Sequence, residues 1–336
     1  MITMYLRSSS IGTLDMCEMQ YFFQYVLGFK SKTGKKAVLG TIFHRAMQVL
    51  ADKKLAQTNK KRKVKNDDIQ DLTFDQCDDI EFMTKLCFDY YAANEADVDL
   101  EANDLKTCTK WVHKALAYNE GMLDPRNQDV LATELFFDIE IKKDWAKYDY
   151  VVGDETFSGY LSIKGTVDLI IKETDAYYQV LDYKSGKRLN WATGKEKTYE
   201  DLCEDKQLLL YFYALRNMYP DKNFYTSIFY LNDGGLFDIV FSDDDYAKAE
   251  NMLREKFEYI RSVQLPLQIS KDQSHWKCTK LCKFAETFKD SGKSTCRYFH
   301  DLIKSEGMDA VVEQHADLAK LVKYGAGGGK LEESKK

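Results

Sequence analysis

Gly165–Lys187 reads GTVDLIIKETDAYYQVLDYKSGK, and its pattern decides what the rest of the chain must build. Two apolar, β-branched runs, Thr166–Ile171 and Tyr177–Tyr183, flank a polar Lys172–Asp175 turn. That arrangement predicts an antiparallel hairpin. Side chains alternate along a strand, so Asp182 and Lys184 point to one face and Tyr183 to the other. A three- or five-residue loop sets Asp168 directly opposite Asp182, while a two- or four-residue loop shifts it by one. In either register the two carboxylates lie close together. Two such charges in a half-buried sheet do not both ionise unless a cation sits between them. Lys184 supplies one fixed positive charge, and a divalent metal would supply the rest.

Working outward, 336 residues with 44% apolar content can bury one large core or two modest ones. Aromatic content of 13% and three prolines point to a packed globular protein. The net charge of −6 neither demands nor excludes nucleic acid, because a basic groove can sit on an acidic protein. No apolar run reaches the length of a membrane span, and Met1–Ser10 lacks a signal-peptide core. A cytoplasmic protein is expected. Its eight cysteines are then thiols or metal ligands and not a disulfide framework.

Upstream of the hairpin, Ser8–Ser10 offers caps for a helix over Ile11–Leu27, with Leu14, Cys17, Tyr21 and Tyr25 on one stripe. Gly40-Thr-Ile-Phe-His44 opens a second helix, whose apolar face continues through Ala46, Val49 and Leu50. Lys53–Lys65 (KKLAQTNKKRKVK) reads as a solvated loop or as a phosphate contact at a groove entrance. Residues 67–123 read as acidic, aromatic helices with Phe82, Leu86, Tyr90 and Tyr91 on one face, closed by Asp124-Pro125-Arg126. Cys77, Cys87 and Cys108 lack ligand spacing and are assigned to the core. Asp129–Lys142 resumes strand alternation. Glu134 within it is either metal-facing or a salt-bridge partner.

Downstream, residues 186–205 form a polar loop in which Lys187, Arg188, Trp191, Lys195 and Lys197 could clamp a nucleic-acid strand, or simply move. Lys206–Tyr219 is a helix that stacks Gln207 above Tyr211. Asn223–Ser242 is a second hairpin around Asn232-Asp233-Gly234-Gly235, and Asp243–Val263 is a helix with an acidic first turn. Cys278-x₃-Cys282-x₁₃-Cys296-x₃-His300 then brings three cysteines and a histidine together, as metal ligands do. Cys₃His would satisfy a tetrahedral zinc. An amphipathic helix is expected over residues 309–324, and residues 325–336 (GAGGGKLEESKK) read as a flexible tail.

Asp168 followed by Asp182-Tyr183-Lys184-Ser185-Gly186, with Gly40 and His44 before it and Gln207-x₃-Tyr211 after it, resembles the RecB-type branch of the PD-(D/E)xK nucleases. The resemblance implies an α/β, restriction-endonuclease-like fold: a mixed central sheet flanked by helices, with residues 53–128 as a helical insertion in a single nuclease domain over 1–324. It implies Mg²⁺ or Mn²⁺ held by His44, Asp168, Asp182 and the backbone carbonyl of Tyr183, and catalysis by Asp168, Asp182, Lys184, Gln207 and Tyr211. Cys17 beside Gln20-Tyr21 is similar to the N-terminal cysteine of iron–sulfur members, the AddB-like and CRISPR-associated exonucleases. On that likeness Cys17, Cys278, Cys282 and Cys296 hold a 4Fe–4S cluster, with zinc at Cys278, Cys282, Cys296 and His300 as the alternative. The Pro of the family's Cys-Pro-x-x-Tyr is replaced by Glu18, and the Cys282–Cys296 gap is longer than usual. The implied function is an exonuclease on single-stranded DNA ends in recombination, repair or phage DNA processing, with a recombination or helicase protein as candidate partner. The alternative is a DNA-binding or scaffold protein that keeps the fold and cluster with little catalysis.

Overall fold

The computed structural model describes residues 1–31, 33–66, 68–95, 97–189 and 194–320. Trp191 and the 325–336 tail lie outside the described residues. The chain divides into two compact units, one of Met1–Lys32, Phe137–Gly165 and Ala247–Lys336, the other of Thr33–Phe136 and Thr166–Tyr246. The strands Val130–Glu140 and Ser162–Lys172 run through both. Among the described residues, no helix is long and apolar enough to cross a membrane.

The second unit contains the hairpin. Ser162–Lys172 pairs antiparallel with Tyr177–Lys184, Leu169 opposite Leu181 and Lys172 opposite Tyr178. That register puts an odd number of residues in the connection and brings Asp168 into line with Asp182. Tyr177–Lys184 then pairs parallel with Asn223–Tyr230, and a parallel pair needs a crossover. The helix Lys206–Met218 lies in that connection. Gly235–Val240 adds an antiparallel edge to Asn223–Tyr230. Leu169, Ile171, Leu181, Tyr183 and Phe229 share one core with Ile42, Phe43, Ala46 and Met47 of the helix Lys35–Thr58. This is the mixed α/β architecture expected, a mixed sheet flanked by helices.

Several local expectations are corrected. The His44 helix starts at Lys35, so Gly40 lies inside it and does not open it. A glycine in mid-helix costs stability relative to alanine, but a Cβ at Gly40 would stand 2.9 Å from the Ser185 hydroxyl. The close approach of the hairpin's outgoing end is what requires glycine here. Lys53 is not on a solvated loop: it is helical, buried, and 2.5 Å from Asp78. Arg126 ties the same Asp78 to Asp124, closing the insertion of Phe74–Asp78, Ile80–Asn94 and Ala102–Leu116. On Ile80–Asn94 the buried stripe is Ile80, Met83, Cys87 and Phe88, whereas Phe82 is exposed. Cys77, Cys87 and Cys108 are buried core thiols.

In the first unit Tyr5–Leu6 pairs parallel with Ser162–Ile163, and Lys147–Val152 forms a hairpin with Glu155–Tyr160. Its core is aromatic, with Phe23 packed on Phe284 at 4.5 Å and edge-on to Phe299 at 5.5 Å. The single helix expected over Ile11–Leu27 is broken at Cys17, which is extended (φ −166°, ψ 117°) between Ser8–Met16 and Glu18–Tyr21. The break lets the chain dock on Leu267: Met19 N–H donates to its carbonyl, and its N–H donates to Glu18. Met308–His315 is helical and residues 318–320 are helical again after a break at 316–317; residues 321–324 of the helix expected over 309–324 lie outside the described residues.

Gly165 sits under the Phe137 ring, where a Cβ would meet Cζ at 2.4 Å. Gly165→Ala should therefore destabilise by about 1–3 kcal/mol through overpacking. Urea unfolding monitored by circular dichroism measures this, and an unchanged midpoint would show that Phe137 can move aside.

Candidate metal centre and active site

Asp168 is the hub of the described site. Its Oδ2 accepts the backbone N–H of Tyr183 at 2.8 Å and lies 3.2 Å from Nδ1 of His44. The carboxylate thus takes over where the hairpin ladder stops, one step beyond Leu169 and Leu181. His44 reaches it from the Lys35–Thr58 helix. Glu134 comes from the neighbouring strand, and His44, Glu134 and Asp168 each offer a ligand atom within 4.8 Å of the others. Glu134 is held at φ 45°, in the left-handed region that an L residue occupies only under constraint. Thr133 beside it donates to the Asp168 carbonyl at 3.0 Å, anchoring the bent strand.

Asp182 lies outside that tight group and belongs to a second one. It is 1% exposed. Its Oδ1 accepts Gln207 Nε2 at 2.9 Å, and its Oδ2, with no in-line hydrogen bond, has the Lys184 ammonium 2.6 Å away. Lys184 donates to Gln207 Oε1 at 2.9 Å, and Gln207 Nε2 also donates to the Tyr211 hydroxyl at 2.6 Å. Gln207 stands in the first turn of its helix, capped by Asp205. One amide therefore locks Asp182, Lys184 and Tyr211 into a single network. Tyr183, on the opposite face of its strand, gives its N–H to Asp168 and buries its ring against Phe43.

Charge balance governs this cluster. Burial pushes Asp182 up to about 6, the Asp168 charge adding to it and Lys184 opposing. Burial also raises Asp168, but His44, Lys184 and the Tyr183 N–H outweigh it and hold the group below its usual range. Glu134 is pushed up to about 7 by burial and by Asp168. Burial lowers His44, yet the charge and hydrogen bond of Asp168 carry it to about 9. Lys184 is likewise opposed by burial and held charged by Asp182 and Asp168. The upward shifts of His44, Glu134 and Asp182 mark a concentration of negative charge that a divalent cation would offset. One imidazole, two carboxylates and the poorly satisfied Oδ2 of Asp182 form a donor set that suits Mg²⁺ or Mn²⁺. A cleft of about 500 Å³ opens beside them, lined by Lys36, Gly40, His44, Arg45, Glu134 and Ser185 among others.

The cysteine segment holds a second set of donors, which influence one another electrostatically. Burial raises the thiols of Cys278, Cys282 and Cys296, the last to about 12, and Cys17 contributes to the shift of each. Cys17 is thus the sulfur these three have in common. His300 differs: burial lowers it, its charged neighbours are Lys304, Asp301, Arg297 and Lys271, and its Nδ1 is buried without a hydrogen bond. Bonds of about 2.3 Å would draw zinc's donors within roughly 4 Å of one another. Among the described residues, the group of three or more donors that closes within 4.8 Å is His44, Glu134 and Asp168, not the cysteines with His300.

Sequence reasoning left Glu134 between ligand and salt-bridge partner, and the structure seats it beside His44 and Asp168. It passed over Thr133 and the Gly40–Ser185 contact, for which a mid-helix glycine was the available signal. A solved Eubacterium rectale protein described as a candidate exonuclease is similar in fold, at TM-score 0.48 and 10% identity, covering 82% of this chain and 87% of that one. No curated protein matches. The family description PD-(D/E)XK nuclease superfamily matches residues 8–287, a span that holds His44, Asp168, Asp182, Lys184, Gln207 and Tyr211. By that match the chain belongs to the PD-(D/E)XK nuclease superfamily.

Proposed function

We propose that this protein is a Mg²⁺- or Mn²⁺-dependent DNA exonuclease acting on single-stranded ends in recombination, repair or phage DNA processing, alongside a recombination or helicase partner. The observation that carries the reading is the pairing of two groups: donors from His44, Glu134 and Asp168, and the Asp182–Lys184–Gln207 network. His44, Asp168, Asp182 and the Tyr183 carbonyl would hold the metal, with Glu134 joining them. When bound, it would polarise a phosphoryl oxygen and lower the pKa of a coordinated water.

The chain's own residues do the rest. Lys184 stays protonated, so it serves as a positioned cation and hydrogen-bond donor for the attacking water and the developing phosphorane charge, and not as a base. Gln207 keeps Lys184 and Asp182 at their spacing. Tyr211, whose hydroxyl is held well above its usual pKa by burial, then by Asp182 and Asp168, remains a neutral donor for a substrate phosphate. We further propose that Cys17, Cys278, Cys282 and Cys296 hold a structural 4Fe–4S cluster. The influence of Cys17 on all three of the other thiols supports that assignment.

The decisive experiment is digestion of end-labelled single- and double-stranded DNA with Mg²⁺ or Mn²⁺. Wild type should shorten single strands from an end and Asp182→Ala should not; equal rates in the two would remove the nuclease reading. Lys184→Ala should keep metal and DNA binding yet lose on the order of a hundred- to a thousandfold in kcat. Tyr211→Phe should lose roughly tenfold with metal affinity unchanged.

Metal binding should also be linked to protons. Ligands bind deprotonated, and these groups hold protons to about 6 at Asp182, about 7 at Glu134 and about 9 at His44. Mn²⁺ affinity should therefore climb across that whole range, with protons released on binding. Calorimetry in buffers of different ionisation enthalpy counts them, and an affinity flat from pH 6 to pH 9 would contradict the ligand set.

For the cluster, protein purified without oxygen should be brown with about four irons per chain. Cys17→Ala should lose iron and stability together, while His300→Ala keeps both. A colourless protein with one zinc, unfolded by His300→Ala, would reverse the assignment.

A further inference from the structure

Two cavities of the first unit, of about 290 and 480 Å³, share Gly28, Phe29, Lys30 and Lys320 as common wall and so run together as one groove. Its charge is opposite to that of the protein. Arg7, Lys30, Lys283 and Lys320 line it against one acidic side chain, Asp317, on a chain whose net charge is −6. Asp317 is already matched by Lys320 at 3.1 Å, and Lys320 also donates to the Gly28 carbonyl at 2.7 Å. Lys30 is exposed, and among the described residues neither it nor Lys283 forms an ion pair. Among the described residues, two of the groove's cations thus have no carboxylate partner.

Aromatic rings share the wall with these cations. Phe29 is half-buried, its ring anchored against Phe23 at 5.9 Å and edge-on to Phe299 at 5.5 Å. Tyr25 is half-buried as well and stacks on Tyr21 at 5.2 Å. Rings fixed from behind, on a wall that also carries cations, match a strand that presents base faces and phosphates. A duplex hides its base faces, and an acidic peptide offers charge without a π-face.

We infer that this groove, lined by Arg7, Lys30, Lys283 and Lys320 with Tyr25 and Phe29, is a binding track for single-stranded nucleic acid, separate from the His44–Asp168 site. The inference deepens the nuclease reading and rests on it for the identity of the strand, but it is tested without catalysis. Anisotropy of a fluorescein-labelled oligothymidylate is measured in EDTA at several salt concentrations. Lys30→Ala with Lys283→Ala should weaken binding on the order of tenfold and flatten the slope of log affinity against log salt by about 1.4, two phosphates' worth on a single strand. Phe29→Leu, which keeps an apolar side chain and removes the π-face, should weaken binding roughly fivefold or more with the salt slope intact and the far-ultraviolet circular dichroism unchanged. Unchanged melting temperatures in the lysine variant exclude misfolding.

Binding is read in EDTA, where cleavage is silent, so a failed nuclease reading leaves the groove result standing, and a failed groove leaves DNA cleavage standing. Wild-type affinity and slope in the lysine variant would overturn the inference. So would tight binding of polyglutamate with indifference to oligothymidylate, which would assign the groove to an acidic protein.

Discussion

A carboxylate pair whose charge has to be compensated organises this protein. Asp168 and Asp182 stand on adjacent strands, Asp182 buried and Asp168 half-buried, so their charges are only weakly screened. Everything around them is a way of managing that charge: His44 on one side, Lys184 on the other, and the Tyr183 N–H aimed at Asp168. The Lys35–Thr58 helix is placed so that an imidazole can reach, and the Lys206–Met218 helix so that an amide can. An apolar residue at any of these positions would leave a buried charge uncompensated, which costs several kcal/mol per ion.

The parts of the fold that were legible in sequence are those set by local periodicity. The alternation of Thr166–Ile171 and Tyr177–Tyr183 fixed the hairpin because a one-residue slip would turn every apolar side chain to the wrong face. The four-residue spacing of Gln207 and Tyr211 was legible for the same reason, since helical geometry alone stacks them. What periodicity does not carry is a backbone that departs from its regular form. Cys17 sits in a sequence with full helical character, and it is extended because Glu18 and Met19 find hydrogen-bond partners at Leu267, far away in the chain. Lys53 looked solvated because its neighbours are basic, and its partner Asp78 lies in a separate helix. On Ile80–Asn94, Leu86 and Tyr91 pack against the core as expected while Phe82 turns to solvent, the buried positions being Ile80, Met83, Thr84, Cys87 and Phe88.

The site itself divides along the same line. The residue types and order of His44, Asp168, Asp182 and Lys184 were readable because charge chemistry restricts what can stand there. Their grouping was not. That His44, Asp168 and Glu134 close on one another while Asp182 pairs with Lys184 and Gln207 depends on where the Val130–Glu140 strand bends, a tertiary fact.

That bend has a consequence for how the protein can change. At φ 45°, position 134 is one where glycine would be the more comfortable residue and glutamate the more strained. Stability and chemistry therefore pull this residue in opposite directions. Selection for thermal robustness alone would drift toward glycine there and gain a relaxed backbone while losing a carboxylate from the group. Retention of glutamate in a population passaged under heat would then report that the acidic group is still in use, a readout of function obtained without assaying any substrate.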